Sequence, residues 1–259
     1  MKISEALAKR RKSLSSDSKS VLTLIGGTTI AQALNFIFSP ITTRLFSPEV
    51  FGDLSVFTSI TGIIGIIICL RYELAIVLPK DDDEGFSLLK LCFIFVAIIS
   101  ILAGAVFLFA GNKIYASFGA PNLVQYWYYV PISLFLTGII QACNYWLTRT
   151  RQFVVLSWNK VIPVIVVNAV SIGLGLLGNR ALGARLFAIF LSNIANIAVL
   201  AKAVAPEFIS KKHATQSNYQ QLIKKYKNFL IYDIWGALLN NLSWMIVPIL
   251  MNAYYGSNA

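Results

Sequence analysis

The stretch that decides the fold class is Leu54–Leu70, LSVFTSITGIIGIIICL, which continues as RYELAIVLP over residues 71–79. Its first seventeen residues carry no charge, and a helix needs about 20 mostly apolar residues to cross the hydrocarbon layer of a membrane. Six further stretches meet this condition, so that the predicted spans are 21–46, 52–78, 88–110, 124–148, 158–178, 182–203 and 229–254. The sequence therefore predicts an all-α, polytopic transmembrane helix bundle of about seven spans.

The composition supports this class. The 259 residues are 57% hydrophobic and 13% charged, with a mean hydropathy of +0.69, which exceeds that of ordinary soluble domains. Short alternating strands, which an outer-membrane barrel needs, are absent from the sequence. The charge-free run 20–43 is too long for a signal peptide and is predicted to be the first span. The three cysteines lie within predicted spans, as packing residues do, and indicate neither disulfides nor a metal site.

Lysines and arginines alternate between the two sides of the predicted bundle. The first tail and the segments 79–90, 149–160 and 202–227 hold seventeen of them, whereas the opposite side holds four. The positive-inside rule then predicts a multi-pass protein with a cytoplasmic N-terminus. Topology and anionic lipid headgroups also account for the net charge of +11, so no nucleic-acid partner is expected.

Polar side chains recur at helical spacing on several spans. Three predicted stripes are Thr28, Gln32, Asn35, Ser39 and Thr42; Ser133, Thr137, Gln141, Asn144 and Thr148; and Ser55, Ser59, Gly62, Cys69 and Glu73. Such residues either hold neighbouring helices together by hydrogen bonds or line a water-filled cavity. Stripes of five residues on separate helices favour the cavity, and therefore transport.

The two charges of RYELAIVLP separate on a continuous helix, because residues two positions apart differ by about 200° around its axis. This geometry predicts that Glu73 faces protein or cavity with its polar stripe. Arg71 falls on a mostly apolar face, where it either extends to the headgroups or has a functional partner.

Two further patterns could indicate a metal-binding or catalytic site. The loop Asp81–Glu84, DDDE, contains a D-x-D pattern that a metal-dependent glycosyltransferase would use for a sugar nucleotide, although such an acidic loop is more often solvated. The single histidine, His213, has no second candidate ligand nearby in the sequence. No nucleophile–base pair, metal cluster or phosphate-binding glycine loop is found, so no catalytic residue, metal or cofactor is expected.

The stretches SPITTRLFSPEVFGDLSVF (39–57), RYELAIVLPKDDDEGFSLL (71–89) and YKNFLIYDIWGALLNNLSWMIVPILMNAYYG (226–256) resemble bacterial polysaccharide biosynthesis proteins. These are the lipid-linked oligosaccharide flippases, including O-antigen translocases, of the multidrug/oligosaccharidyl-lipid/polysaccharide exporter superfamily. The resemblance implies two six-helix lobes around a cavity that opens alternately to each face. It implies that an undecaprenyl-pyrophosphate-linked glycan is carried to the outer leaflet of the bacterial cytoplasmic (inner) membrane, beside glycosyltransferases and a polymerase of the same pathway.

For individual residues, the resemblance implies that Arg44 and Arg71 bind pyrophosphate and that Gln32 and Asn35 lie on the glycan path. Glu73 and Asp233 would couple transport to protons or sodium, or act as counter-ions. Two other functions stay open: a drug or cation exporter of the same superfamily, whose cavity would be richer in acids, and a membrane glycosyltransferase that uses the DDDE loop.

The predicted organisation is a basic cytoplasmic tail (1–20), a six-helix lobe (21–204), a basic linker (205–228) and the first helix of a second lobe (229–259). Pro40 and Pro248 each follow the last basic residue before a span by 21 positions, which suggests a parallel repeat. Members of the family usually have twelve to fourteen spans, so a truncated or partial chain is expected, with a two-copy assembly as the alternative.

Overall fold

The computed structural model describes the backbone of residues 2–210 and 218–255 and the side chains of residues 22–208 and 218–254. Within these residues the chain forms helices and no strand. The helices are α1 (Lys2–Leu45), α2 (Pro48–Ile67), α3 (Asp82–Ser117), α4 (Tyr129–Arg149), α5 (Phe153–Leu176), α6 (Leu182–Ser210), α7 (Tyr219–Asn228) and α8 (Ile234–Tyr255). Seven segments are long and apolar enough to cross a membrane. This confirms the predicted all-α, polytopic transmembrane bundle.

The helices pack in a defined order. α1 lies along α5, and α5 also packs on α6, while α4 packs on α3 and α6. α1 and α5 run in the same direction, because the Ser157 hydroxyl donates to the carbonyl of Thr23 at 2.6 Å and Asn168 Nδ2 donates to Asn35 Oδ1 at 3.4 Å. The second ends of α2, α4 and α6 therefore lie at one end of the bundle, which we call the basic end.

Aromatic rings form the core near the basic end. Phe86 of α3 packs edge-on against Trp146 of α4, with ring centroids 5.5 Å apart, and against Phe208 of α6 at 4.7 Å. By contrast, Ile101 and Phe109 of α3 are 71% and 86% exposed. Such outward apolar side chains are what a helix in contact with lipid requires, so the bundle has a packed interior and an apolar outer surface.

α8 runs antiparallel along α2. Met245 lies against Gly62 in the middle of the pair. Asn252 near the end of α8 donates to the carbonyls of Phe118 and Gly119 at 2.9 and 3.0 Å. Gly119 has a φ of 66°, and a Cβ there would come within 2.5 Å of the Asn252 carbonyl oxygen, so this contact requires glycine.

The predicted span 52–78 is wrong at its second end, because α2 stops at Ile67. Leu70 and Arg71 have φ values of 50° and 65°, a left-handed conformation that non-glycine residues rarely adopt. The chain then forms a short 3₁₀ helix, Leu74–Val77. Successive bonds between residues three apart, such as Tyr72 N to Cys69 O at 3.0 Å, satisfy the backbone where the helix is broken. A membrane protein tolerates such a break where it is buried in protein.

Other boundaries follow local signals more closely. Ser47 is extended and Pro48 begins α2, where proline is favoured at the first helical position, although the Ser47 hydroxyl makes no capping bond. Lys160, which the sequence places at the end of a loop, lies seven residues inside α5. α1 begins at Lys2, so the predicted tail is continuous in backbone with the first span. His213 of the predicted linker lies outside the described residues.

Candidate functional site: a buried charge cluster beside a polar pocket

The break after α2 brings Arg71 and Glu73 together. Arg71 Nε donates to Asp233 Oδ2 at 2.5 Å, and its Nη1 donates to Glu73 Oε1 at 3.4 Å. Gln141 Nε2 of α4 donates to the same Glu73 oxygen at 2.9 Å. The prediction that the two charges of RYELAIVLP face different neighbours is therefore wrong. It assumed a continuous helix, and the left-handed residues Leu70 and Arg71 break the helix instead.

The cluster is poorly solvated and unbalanced in charge. The side chain of Glu73 is fully buried, that of Arg71 is 18% exposed and that of Asp233 is 42% exposed. Glu73 Oε2 has no hydrogen-bond partner within the described residues. In this group a single guanidinium serves two carboxylates, so full ionisation leaves one negative charge in excess. Because burying a charge costs several kcal/mol, the arrangement favours uptake of a proton or a small cation.

The seventh span meets this cluster at an irregular turn. Residues Phe229–Asp233 form a π-helical segment between α7 and α8, and Asp233 is its last residue. Such insertions are rare and frequently lie at functional sites. At the basic end the Tyr72 hydroxyl donates to the carbonyl of Ile223 at 3.2 Å, so α7 rests directly on the break. The predicted linker is thus held against the break by a neutral contact, and the start of the predicted second lobe is held there by an ionic one.

A polar pocket of about 350 Å³ opens beside the cluster, between α4 and α5. It is lined by Thr137, Ile140, Gln141, Asn144, Tyr145, Thr148 and Lys160. Four of the five residues of the predicted α4 stripe therefore line a cavity, as their spacing indicates, while Ser133 is buried. Gln141 belongs to both features, because it lines the pocket and donates to Glu73.

The other predicted substrate residues lie elsewhere. Gln32 and Asn35 are on exposed positions of α1, and Asn35 accepts a hydrogen bond from Asn168 of α5. Arg44 is exposed in the last turn of α1, beyond the opposite end of α2. Since the 20 residues of α2 span roughly 30 Å, Arg44 and Arg71 do not share one site. The roles of Gln32, Asn35 and Arg44 stay predictions.

The DDDE segment, which the sequence places in a loop, forms the N-cap and the first turn of α3 at the basic end. Asp81 caps α3 by accepting from the backbone N–H of Asp83 at 3.1 Å, and Asp82 pairs with Arg149 at 2.8 Å. Glu84 accepts from Lys225 at 2.5 Å and from the Tyr226 hydroxyl at 3.1 Å. The described residues contain no group of three or more histidines, cysteines and acids placed to hold a metal ion. The contacts of Asp82 and Glu84 join the start of α3 to α4 and α7.

Sequence reasoning missed Lys160 and Tyr145. By sequence, Lys160 belongs to the basic segment 149–160, although the predicted span 158–178 also includes it. Because α5 begins at Phe153, Lys160 lies about 10 Å along the span. A charged residue at that depth in a membrane helix indicates a functional site. Tyr145 sits next to the stripe residue Asn144, and its part in the pocket depends on tertiary packing.

Comparison with known proteins gives one match. The model of the family described as "Polysaccharide biosynthesis protein" matches residues 18–259, which include the break after α2 and the helix next to Asp233. No curated protein and no solved structure matches the chain.

Proposed function

This chain belongs to the polysaccharide biosynthesis protein family, and from that premise we propose that it flips a lipid-linked oligosaccharide across the bacterial cytoplasmic membrane. The lipid is undecaprenyl pyrophosphate, and the glycan serves surface polysaccharide or O-antigen synthesis. The basic end faces the cytoplasm, where the pathway's glycosyltransferases build the cargo, and a polymerase takes it on the other side. The process changes no covalent bond, so the protein acts as a transporter and not as an enzyme.

The observation that carries this proposal is the cluster of Arg71, Glu73 and Asp233. Buried ion pairs contribute little net stability compared with apolar packing, and ionisable groups within membrane spans commonly serve ion or substrate pathways. Here the cluster joins α2 to α8 at the point where both depart from regular helix geometry. The planar guanidinium of Arg71 suits phosphate oxygens as well as carboxylates.

An exchange of partners at Arg71 then gives a transport cycle. A pyrophosphate that approaches Arg71 displaces Asp233, which releases the ionic contact between the break after α2 and the segment before α8. A proton or sodium ion on Glu73 or Asp233 compensates the excess negative charge. The pocket beside the cluster contains a lysine and no acid among its lining residues. This favours an anionic cargo over the cationic drugs of the related exporters.

Translocation can be measured with the full chain in liposomes that contain undecaprenyl-pyrophosphate oligosaccharide labelled on its glycan with a fluorophore. A membrane-impermeant reductant quenches the label in the outer leaflet only. We expect wild-type protein to expose the inner-leaflet label as well, faster when a proton or sodium gradient is imposed.

Two variants make the test specific. Asp233→Asn should abolish the acceleration by the gradient, whereas Arg180→Ala, which removes an exposed arginine of the α5–α6 connection, should behave as wild type. Label exposure equal to that in protein-free liposomes would refute the proposed function. Equal translocation of a labelled ordinary phospholipid would refute the specificity for the glycan carrier.

A further inference from the structure

The polar pocket between α4 and α5 has a lining whose hydrogen-bonding capacity can be assigned atom by atom. The hydroxyl of Thr137 donates to the carbonyl of Ser133 at 2.7 Å, and that of Thr148 donates to the carbonyl of Asn144 at 2.8 Å. Each hydroxyl oxygen therefore keeps its acceptor capacity. Gln141 Nε2 donates to Glu73, which leaves the Gln141 carbonyl oxygen as a further acceptor.

The donors of the pocket are equally defined. Asn144 Oδ1 accepts from Asn159 Nδ2 at 2.6 Å, so the amide nitrogen of Asn144 remains to donate. Tyr145 contributes both a hydroxyl and an aromatic face to the lining. A ligand with several hydroxyl groups and an apolar ring face matches this set, because hydroxyls both donate and accept. A sugar ring has these properties.

The charge of the lining selects an anion. Lys160 is the single charged residue of the pocket lining, which contains no acid. It lies seven residues after Phe153, about 10 Å from the start of α5. It is exposed and has no ion pair within the described part of the chain. A lysine at that depth either extends to the headgroups or meets an anion that enters the pocket.

The size and position of the pocket complete the argument. Its volume of about 350 Å³ falls at the lower end of the range for small-molecule sites, which suits one sugar with an adjoining phosphate group. Gln141 connects it directly to Glu73 and so to the ion pair of Arg71. A ligand that bonds to Gln141 would alter the contacts of the charge cluster.

We infer that this pocket is the loading site for the first sugar and the adjoining phosphate of the lipid-linked cargo, with Lys160 bound to the phosphate. The inference rests on the proposed function for the direction of loading. It adds to that function a named binding site on α4 and α5, apart from the arginines of α1 and α2.

The test uses the purified full chain in nanodiscs of zwitterionic phosphatidylcholine and, as probe, farnesyl-pyrophosphate-linked N-acetylglucosamine. Binding is measured by the change in tryptophan fluorescence. A hydrogen bond between Lys160 and a phosphate is charge-assisted and therefore strong. Its loss in Lys160→Ala should weaken binding of the probe roughly tenfold or more. Lys160→Arg keeps the charge and should bind within a few-fold of wild type. Lys202→Ala, which removes an exposed lysine of α6 outside the pocket lining, should leave binding unchanged.

A second substitution tests the pocket without changing charge. Thr148→Trp places a large ring in the cavity and should weaken binding of the probe as much as Lys160→Ala does. Both substituted positions are exposed, so thermal unfolding should match that of wild type and exclude a folding defect. Unchanged affinity in Lys160→Ala or in Thr148→Trp would overturn the inference.

Two further probes identify the source of the phosphate. Farnesyl pyrophosphate without the sugar should bind more weakly than the sugar-linked probe, and equal affinity would overturn recognition of a sugar. Phosphatidylglycerol added to the nanodiscs should not displace the probe. Displacement that depends on Lys160 would assign the pocket to a phospholipid headgroup and overturn the inference.

The binding experiment and the flipping experiment fail separately. Normal glycan translocation together with binding independent of Lys160 would remove this site and leave the function. Binding that depends on Lys160 without translocation would remove the function and leave the site.

Discussion

Arg71→Gln removes the guanidinium that Glu73 and Asp233 share, and its cost can be worked from the burial of the two acids. The carboxylate of Glu73 is fully buried, and Gln141 would remain as its donor among the described residues. Leaving a buried charge without its partner costs about 3–5 kcal/mol. Asp233 is 42% exposed, so the loss of its pair contributes only about 0–1 kcal/mol. The loss at Glu73 therefore dominates.

For a chain of this size, about 1 kcal/mol corresponds to ~2–4 °C in the unfolding midpoint, so Arg71→Gln should lower Tm by roughly 6–20 °C. The double variant Arg71→Gln/Glu73→Gln leaves no fully buried charge in the cluster and should recover most of this loss. Arg180→Gln, at an exposed position, should unfold as wild type does. Thus the double variant is expected to be more stable than the single one.

Thermal unfolding in detergent can be followed with a thiol-reactive fluorophore, because the three free cysteines are buried in the folded protein. Circular dichroism at the same temperatures would show whether loss of helix coincides with thiol exposure. If the double variant unfolds at or below the temperature of Arg71→Gln alone, an uncompensated charge on Glu73 is not the cause, and the reasoning fails.

Two other predictions concern contacts that hold the break in place. A Cβ on Gly138 would lie 2.7 Å from Val96 Cγ2 and 2.9 Å from Ile68 Cγ1, so Gly138→Ala should destabilise the protein by about 1–3 kcal/mol in the same unfolding assay. In the control variant Gly65→Ala the added Cβ meets no atom within 4 Å, so this change should be neutral or slightly stabilising. Equal losses of stability in the two variants would contradict a packing effect at Gly138. Arg149→Lys should speed amide hydrogen exchange in residues 76–82, because lysine cannot bond to the Asp82 carboxylate and two backbone carbonyls at once. Unchanged exchange in these residues would show that the Arg149 contacts do not hold the segment in place.

Much of the fold follows from local pattern. Long apolar runs predict the seven spans, because a helix is the one open-chain structure that satisfies its own backbone in lipid. The sequence Ser47-Pro48 marks the start of α2 through the fixed φ of proline and its missing N–H. Spacing of three and four residues also predicts that the α4 stripe shares one face, and four of its members line the pocket.

The end of α2 could not be predicted in this way. Residues 68–78 contain neither glycine nor proline, so nothing in their local preferences ends a helix there. On a regular helix Arg71 and Glu73 would point about 200° apart, so the break is what lets the two side chains meet. Their common partners are Gln141 on α4 and Asp233 before α8, which are distant in sequence.

The sequence alone determined the class of the protein, its spans and its polar faces, since these depend on the hydropathy and spacing of neighbouring residues. Tertiary structure alone decided that Arg71 and Glu73 meet, that Asp233 joins them and that Lys160 of α5 faces the α4 stripe. Charges in an apolar interior must find partners wherever the packed helices place them. That requirement involves the whole bundle, and it outweighs the helix preference of the residues between.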